Sequence, residues 1–234
     1  MITFLEKAKE EYDSIAFSSE KKAKLEEELS ALEAEVFNKG CHISDCRKKA
    51  ALEFEKQVSG EMSFLDMPDA RFTVSFSDEE PNENGIDDVE FLISVNRGQE
   101  EKPLVKIASG GELSRIMLAI RCVLSRTGQN ETMIFDEIDA GVSGRAANRI
   151  ASKLQQVSKG RQVICVTHLA QIAASADCHF LIEKSSDISN TYTKVSRLDG
   201  VEREREIARI IGGDVITEST LSSARELIEF GAGS

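Results

Sequence analysis

Thr132-Met133-Ile134-Phe135-Asp136-Glu137 is a short apolar strand that ends in two consecutive carboxylates. In a parallel sheet, ligands collect at the carboxyl ends of strands. Two adjacent acids at such an end suit a Mg²⁺ site beside a general base, one carboxylate holding the cation and the other orienting an attacking water. A strand that merely runs into an acidic loop has the same local pattern. A second apolar strand, Gln162-Val163-Ile164-Cys165-Val166-Thr167-His168, ends in a histidine. If the two strands are parallel, His168 emerges at the same sheet edge as Asp136 and Glu137. A neutral imidazole there can hydrogen-bond a phosphate oxygen.

Working outward, helical and strand patterns alternate. A helix over Gly111–Ser125 precedes the first strand, and a helix over Gly144–Val157 precedes the second. A short helix follows at Leu169–Ala174, then strands near His179–Glu183 and Thr191–Leu198. Helices at Glu202–Ile211 and Ser219–Phe230 close the chain. Short continuous apolar strands alternating with helices predict an α/β fold with a mostly parallel sheet buried on both faces and flanked by helices.

The helix before the Asp-Glu strand has an unusual start, Ser109-Gly110-Gly111-Glu112-Leu113-Ser114-Arg115. Ser109 and Glu112 form a capping box. The two glycines each cost about 1 kcal/mol of helix propensity. Bare backbone at those positions allows an anion to approach the free N–H groups and the positive end of the helix dipole. Arg115 lies one turn into that helix, where it is either a link towards the N-terminal region or an ordinary exposed arginine.

Residues 1 to about 60 have a different texture. Leu25, Leu29, Leu32 and Val36 keep a 4-3-4 spacing, the seam of a coiled coil, in a stretch dense in Glu, Lys and Ala. Projected backwards, the seam meets Lys22, Ser18, Ile15 and Glu11 and weakens. Asn38-Lys39-Gly40 reads as a break, with a second helix from about Ser44 that aligns Cys46, Ala50, Phe54 and Val58. A surface helical hairpin and a projecting arm both fit this pattern. After Met67-Pro68 the period becomes two, over 71–76 and 89–95. The acidic turn between them, 78–88, completes a hairpin.

Composition narrows the class. The chain has 234 residues, 41% hydrophobic and 30% charged, with a net charge of −12. Such a chain is repelled on average by phosphate backbones, so composition gives no support to nucleic-acid binding. The sequence has neither an apolar run long enough to span a membrane nor the pattern of a signal peptide. Its five cysteines lack framework spacing, and Cys122 and Cys165 sit in apolar runs. A reduced, cytoplasmic setting fits best.

Gly111 precedes Asp136 by 25 residues, and His168 follows Glu137 by 31. In that combination the sequence resembles the ABC ATPases, and among them the SMC-like group. Ser109-Gly110-Gly111-Glu112 is similar to the signature motif, Met133–Glu137 to the Walker B strand, and Ile138-Asp139-Ala140-Gly141-Val142-Ser143 to the D-loop. His168 falls at the switch histidine. The stretches KIASGGELSRIMLAI, IFDEIDAGVSGRAA, QVICVTHLAQIAASADCHF and EIARIIGG resemble the bacterial RecN family of recombination and repair proteins.

The resemblance implies an arm segment over 1–60 and the C-terminal lobe of an ATPase head over 61–234. It implies a nucleoid-associated ATPase in double-strand break repair that binds DNA and works as a homodimer of ATP-engaged heads. Its cofactors would be ATP and Mg²⁺. Asp136 would serve the metal, and Glu137 and His168 would be catalytic. Ser109, Gly110, Gly111, Glu112, Asp139, Ala140 and Gly141 would meet nucleotide.

Two features depart from the wider pattern. No Gly is followed by Lys, so the chain has no P-loop. In SMC-like proteins the P-loop half lies at the far N-terminus, beyond the coiled coil. The chain is therefore expected to be a C-terminal part that needs its N-terminal half and is inactive alone. Ala108 and Ser143 also stand where many relatives have Leu and Asp. Two rival readings remain at this level: a non-catalytic coiled-coil scaffold with an incomplete head, and a metal-dependent hydrolase with Asp136, Glu137, Asp139 and His168 as ligands.

Overall fold

The computed structural model describes residues 2–124, 132–186 and 191–232. Met1 and Ser125, at which the sequence reading began the chain and ended a helix, lie outside the described residues. The chain divides into two compact units, one of residues 1–53 and 74–90, the other of 54–73 and 91–234.

Helix α1, Ile2–Phe64, is one unbroken helix of 63 residues. The expected break at Asn38-Lys39-Gly40, and the helical hairpin it implied, are absent. Gly40 is buried and supplies clearance rather than a break: a methyl there would lie 2.6 Å from Ile86 Cγ2. Close packing thus offsets the helix-propensity cost of a mid-helix glycine. Leu25, Leu29, Leu32 and Val36 are all at least half exposed along this helix.

Strands β1, Arg71–Asn82, and β2, Gly85–Ser94, extend through the acidic stretch expected as a turn. The turn is confined to Glu83-Asn84. Gly85 adopts a left-handed φ of 115° that suits glycine, and the Asn84 N–H donates to Asn82 Oδ1 at 2.7 Å. Asp78, Glu79 and Glu80 are exposed, so the strand can carry them at little cost, and Pro81 is tolerated because β1 is an edge strand. Within the first unit, Ser44 Oγ donates to Asp87 Oδ1 at 2.6 Å, Arg47 Nη1 lies 3.3 Å from Asp87 Oδ2, and Arg47 Nη2 donates to the Asn84 carbonyl. These contacts satisfy a carboxylate that is only 9% exposed.

In the second unit a two-residue strand β3, Lys102–Pro103, pairs antiparallel with β2. Helix α2, Gly110–Leu124, precedes β4, Thr132–Phe135. Helix α3, Gly144–Ser158, precedes β5, Gln162–Cys165. Helix α4, Ala170–Ala174, leads to the antiparallel pair β6, His179–Ser186, and β7, Thr191–Leu198. Helices α5, Gly200–Gly212, and α6, Glu218–Ala232, end the described chain. The fold is α/β. Among the described residues, parallel pairing is confined to β4 and β5, in register from Thr132–Gln162 to Phe135–Cys165.

One expectation is corrected: this parallel pair is not buried on both faces. Met133 and Phe135 are buried, whereas Ile134 is 70% exposed and its neighbours Ile164 and Val166 are 44% and 49% exposed. The covered side belongs to a core that includes Met62, Leu65, Ile116, Leu118, Ile138 and Ile150. A satellite core joins Ala170, Ala173 and Ala174 to Ile207, Ala208 and Ala224. Small residues there permit close helix approach, and a methyl at Gly231 would lie 2.8 Å from the Ala174 carbonyl oxygen.

Candidate functional site

The parallel register places Asp136 and His168 beyond the same ends of β4 and β5, as the sequence pattern required. The two strands continue pairing into the site, where the Val166 N–H donates to the Phe135 carbonyl at 2.9 Å. Asp136, Glu137 and His168 are exposed, and Asp139 is buried at 3%.

The chain turns sharply after β4. Glu137 occupies the left-handed region at φ 55°, uncommon for a residue with a side chain. Its N–H donates to Asp136 Oδ1 at 2.9 Å, and its carbonyl accepts the Ala140 N–H at 3.0 Å. The start of α2 abuts this turn. Ser114 Oγ donates to the Asp136 carbonyl at 2.6 Å. Arg115 Nη1 donates to the Ala140 carbonyl at 2.9 Å and more weakly to that of Ile138 at 3.4 Å. Arg115 is buried, so the reading of it as an ordinary exposed arginine is corrected. Burial lowers its pKa, against the opposing pull of Glu112 and Asp66.

The glycines at the head of α2 face the chain's own turn. A side chain at Gly110 would meet Glu137 Oε2. A methyl at Gly111 would lie 2.8 Å from Ala140 Cβ, 3.0 Å from the Glu137 carbonyl oxygen and 3.1 Å from that of Ala140. Small size at Gly111 is thus required within this chain, independently of any ligand, whereas at Gly110 only the tip of the Glu137 side chain would have to move. Ser109 caps the helix, with the Glu112 N–H 3.4 Å from Ser109 Oγ, at the long end for a hydrogen bond.

Asp139 ties the turn to the end of β5. Its Oδ2 accepts the Thr167 hydroxyl and the His168 N–H, the latter at 2.9 Å, and lies 3.2 Å from His168 Nδ1. The imidazole itself is 75% exposed. Ala140, Gly141 and Ser143 lie on the exposed part of the loop. Cys165, close behind, has its thiol pushed up to about 12 by burial and by Asp139 and Asp136.

The predicted residues therefore converge from α2, the end of β4, the loop after it and the end of β5. Sequence reading missed Ser114 and Thr167, and with them the backbone grip of Arg115. Thr167, directly before the strand-terminal histidine, had the only legible signal. Among the described residues, no three His, Cys, Asp or Glu side chains gather to hold a metal. The four-ligand hydrolase arrangement is not formed, since Asp139 is engaged inward. Asp136 alone, exposed at a strand end, fits a Mg²⁺ ion whose other ligands are water and phosphate.

The fold is thus α/β, with the residues singled out in the sequence gathered at one end of the parallel pair. No family model matches the chain. It is 39% identical over 239 residues to the DNA repair protein RecN of Treponema pallidum, an alignment covering 99% of this chain and 42% of that protein. It is 38% identical to RecN of Halalkalibacterium halodurans and of Bacillus subtilis, over 98% of this chain and 41% and 42% of those proteins. Along nearly its whole length the chain is similar to the C-terminal portion of these RecN proteins. It spans about 42% of the length of these relatives. A solved SMC head domain with coiled coil and joint from Pyrococcus yayanosii aligns with 69% of this chain and 29% of its own, at 23% identity and a TM-score of 0.49.

Proposed function

We propose that this chain is the C-terminal half of an ATPase head that hydrolyses ATP at composite sites between two engaged heads, in the service of DNA double-strand break repair. One observation carries the reading. Four separated segments, each suited to one part of phosphoryl transfer, are held together by hydrogen bonds within the chain.

In this reading Asp136 would hold Mg²⁺, which when bound neutralises charge on the phosphates. Glu137, beside it on the exposed turn, accepts a proton from the attacking water. His168 is oriented by Asp139 at Nδ1, which leaves Nε2 to hold a phosphate oxygen. Ser109, Gly110, Gly111 and Glu112 present the α2 N-terminus to nucleotide on the partner head, flanked by Asp139, Ala140 and Gly141. The missing phosphate-binding loop comes from the N-terminal half of the same head. The bare apolar patch of Ile134, Ile164 and Val166 supports a covering element, because parallel sheets are normally buried on both faces. DNA is contacted through regions other than an average surface of this acidic chain.

The test is Glu137→Gln in the full-length protein. The amide keeps the shape of the site but cannot act as a base. Hydrolysis is expected to fall at least ~10²-fold while ATP-bound dimers accumulate. Turnover near wild type removes Glu137 from the mechanism.

A further inference from the structure

We propose that Arg115 is a positioning residue for hydrolysis, fixing the turn that carries Glu137 by gripping the Ile138 and Ala140 carbonyls from inside α2. The inference rests on the ATPase reading above and adds to it a residue that touches no reacting atom.

Position 115 lies in the helix face that packs into the core, beside Ile116, Leu118 and Ala119, all fully buried. An apolar residue would satisfy that packing. A guanidinium with 9% exposure is costly to bury unless its donors are used. Here one nitrogen, Nη1, reaches two backbone carbonyls, at 2.9 Å from Ala140 O and 3.4 Å from Ile138 O. The two N–H bonds of that nitrogen are fixed in the guanidinium plane, so the pair of carbonyls is held in a set direction, which a freely rotating ammonium does less well.

The placement of these carbonyls gives the grip its meaning. The neighbouring residue, Ser114, holds the Asp136 carbonyl at 2.6 Å. Residues 114 and 115 therefore clamp the chain on both sides of Glu137. Glu137 itself sits at φ 55°, a conformation that persists in a residue with a side chain only when the surroundings over-determine it. The carbonyls of Ile138 and Ala140 also bracket Asp139, which holds the Thr167 hydroxyl and the His168 N–H. Releasing the Arg115 end would loosen both the general base and the switch histidine together. Nucleotide affinity, supplied mainly by the other half of the head, would be little affected.

The experiment uses full-length protein with Arg115→Met, which keeps much of the volume but removes the donors, and Arg115→Lys, which keeps one charged donor. ATP hydrolysis is measured across ATP concentrations, and kcat is referred to nucleotide-binding sites counted by ATP titration, with thermal melting alongside. Arg115→Met is expected to lower kcat by roughly 10–100-fold with KM within about threefold, as misplacement of a catalytic group does. Arg115→Lys is expected to recover part of the loss. A folded Arg115→Met protein with wild-type kcat overturns the proposal, provided Glu137→Gln is inactive in the same assay. Wild-type turnover by Glu137→Gln overturns the ATPase reading and this inference with it. If Arg115→Met does not fold, Arg115→Lys decides: a lower kcat at unchanged KM supports the grip, and a wild-type kcat overturns it.

Discussion

The Thr167 hydroxyl donates to Asp139 Oδ2, and the same oxygen accepts the His168 N–H. One buried carboxylate thereby locks the loop after β4 to the end of β5. Asp139→Ala would leave the Thr167 hydroxyl and the His168 N–H without their acceptor. Hydrogen bonds to a charged group are worth about 1.5–3 kcal/mol each, and two share this oxygen. A stability loss of about 2–4 kcal/mol is expected, read as a lower urea midpoint at unchanged slope. Thr167→Val should cost less, because Asp139 keeps the His168 N–H. An unchanged midpoint for Asp139→Ala would show that the lock contributes nothing.

Gly111→Ala separates helix propensity from packing. Propensity alone favours Ala by about 1 kcal/mol. The added methyl, however, would meet Ala140 Cβ at 2.8 Å and two carbonyl oxygens at 3.0 and 3.1 Å. Backbone is a poor partner to displace, so overpacking should dominate, with a net loss of about 1–3 kcal/mol. A rise in melting temperature would mean that the turn gives way freely.

The cysteines should divide sharply towards a thiol reagent at pH 8. Burial pushes the Cys122 and Cys165 thiols up to about 12, so almost no thiolate forms there. Cys46 and Cys178 are exposed. Labelling of the native protein followed by peptide mapping is expected to mark Cys46 and Cys178 early and Cys122 and Cys165 only on unfolding. Early labelling of Cys165 would show that the strand end behind Asp136 opens readily.

The strand ending in Asp136-Glu137 and the strand ending in His168 were legible because period, length and terminal residues are local properties. So were α3, β7 and the closing helices, to within a few residues. What escaped depends on neighbours distant in sequence. Gly40 was read as a breaker because its clearance is filled by Ile86, which no local pattern reveals. Gly110 and Gly111 were read as room for a ligand, yet the atoms nearest to them are those of Glu137 and Ala140. The grip of Ser114 and Arg115 on carbonyls was invisible, since backbone acceptors carry no residue identity. The bare face at Ile134 was misjudged because an apolar strand predicts burial without saying which chain segment provides it.

Each site is expected to join the phosphate-binding loop of one head to the α2 N-terminus of another, and mixing two disabled full-length proteins separates this from sites confined to one head. One carries Ser109→Glu, which sets a negative charge at the exposed cap and spares the packed glycines. The other has its phosphate-binding lysine replaced. Each alone should be inactive. A mixed dimer has one site built from the two intact parts, so equal mixing should restore about a quarter of wild-type hydrolysis if half the dimers are mixed. No recovery, with mixed dimers shown to form, would count against independently active sites shared between heads.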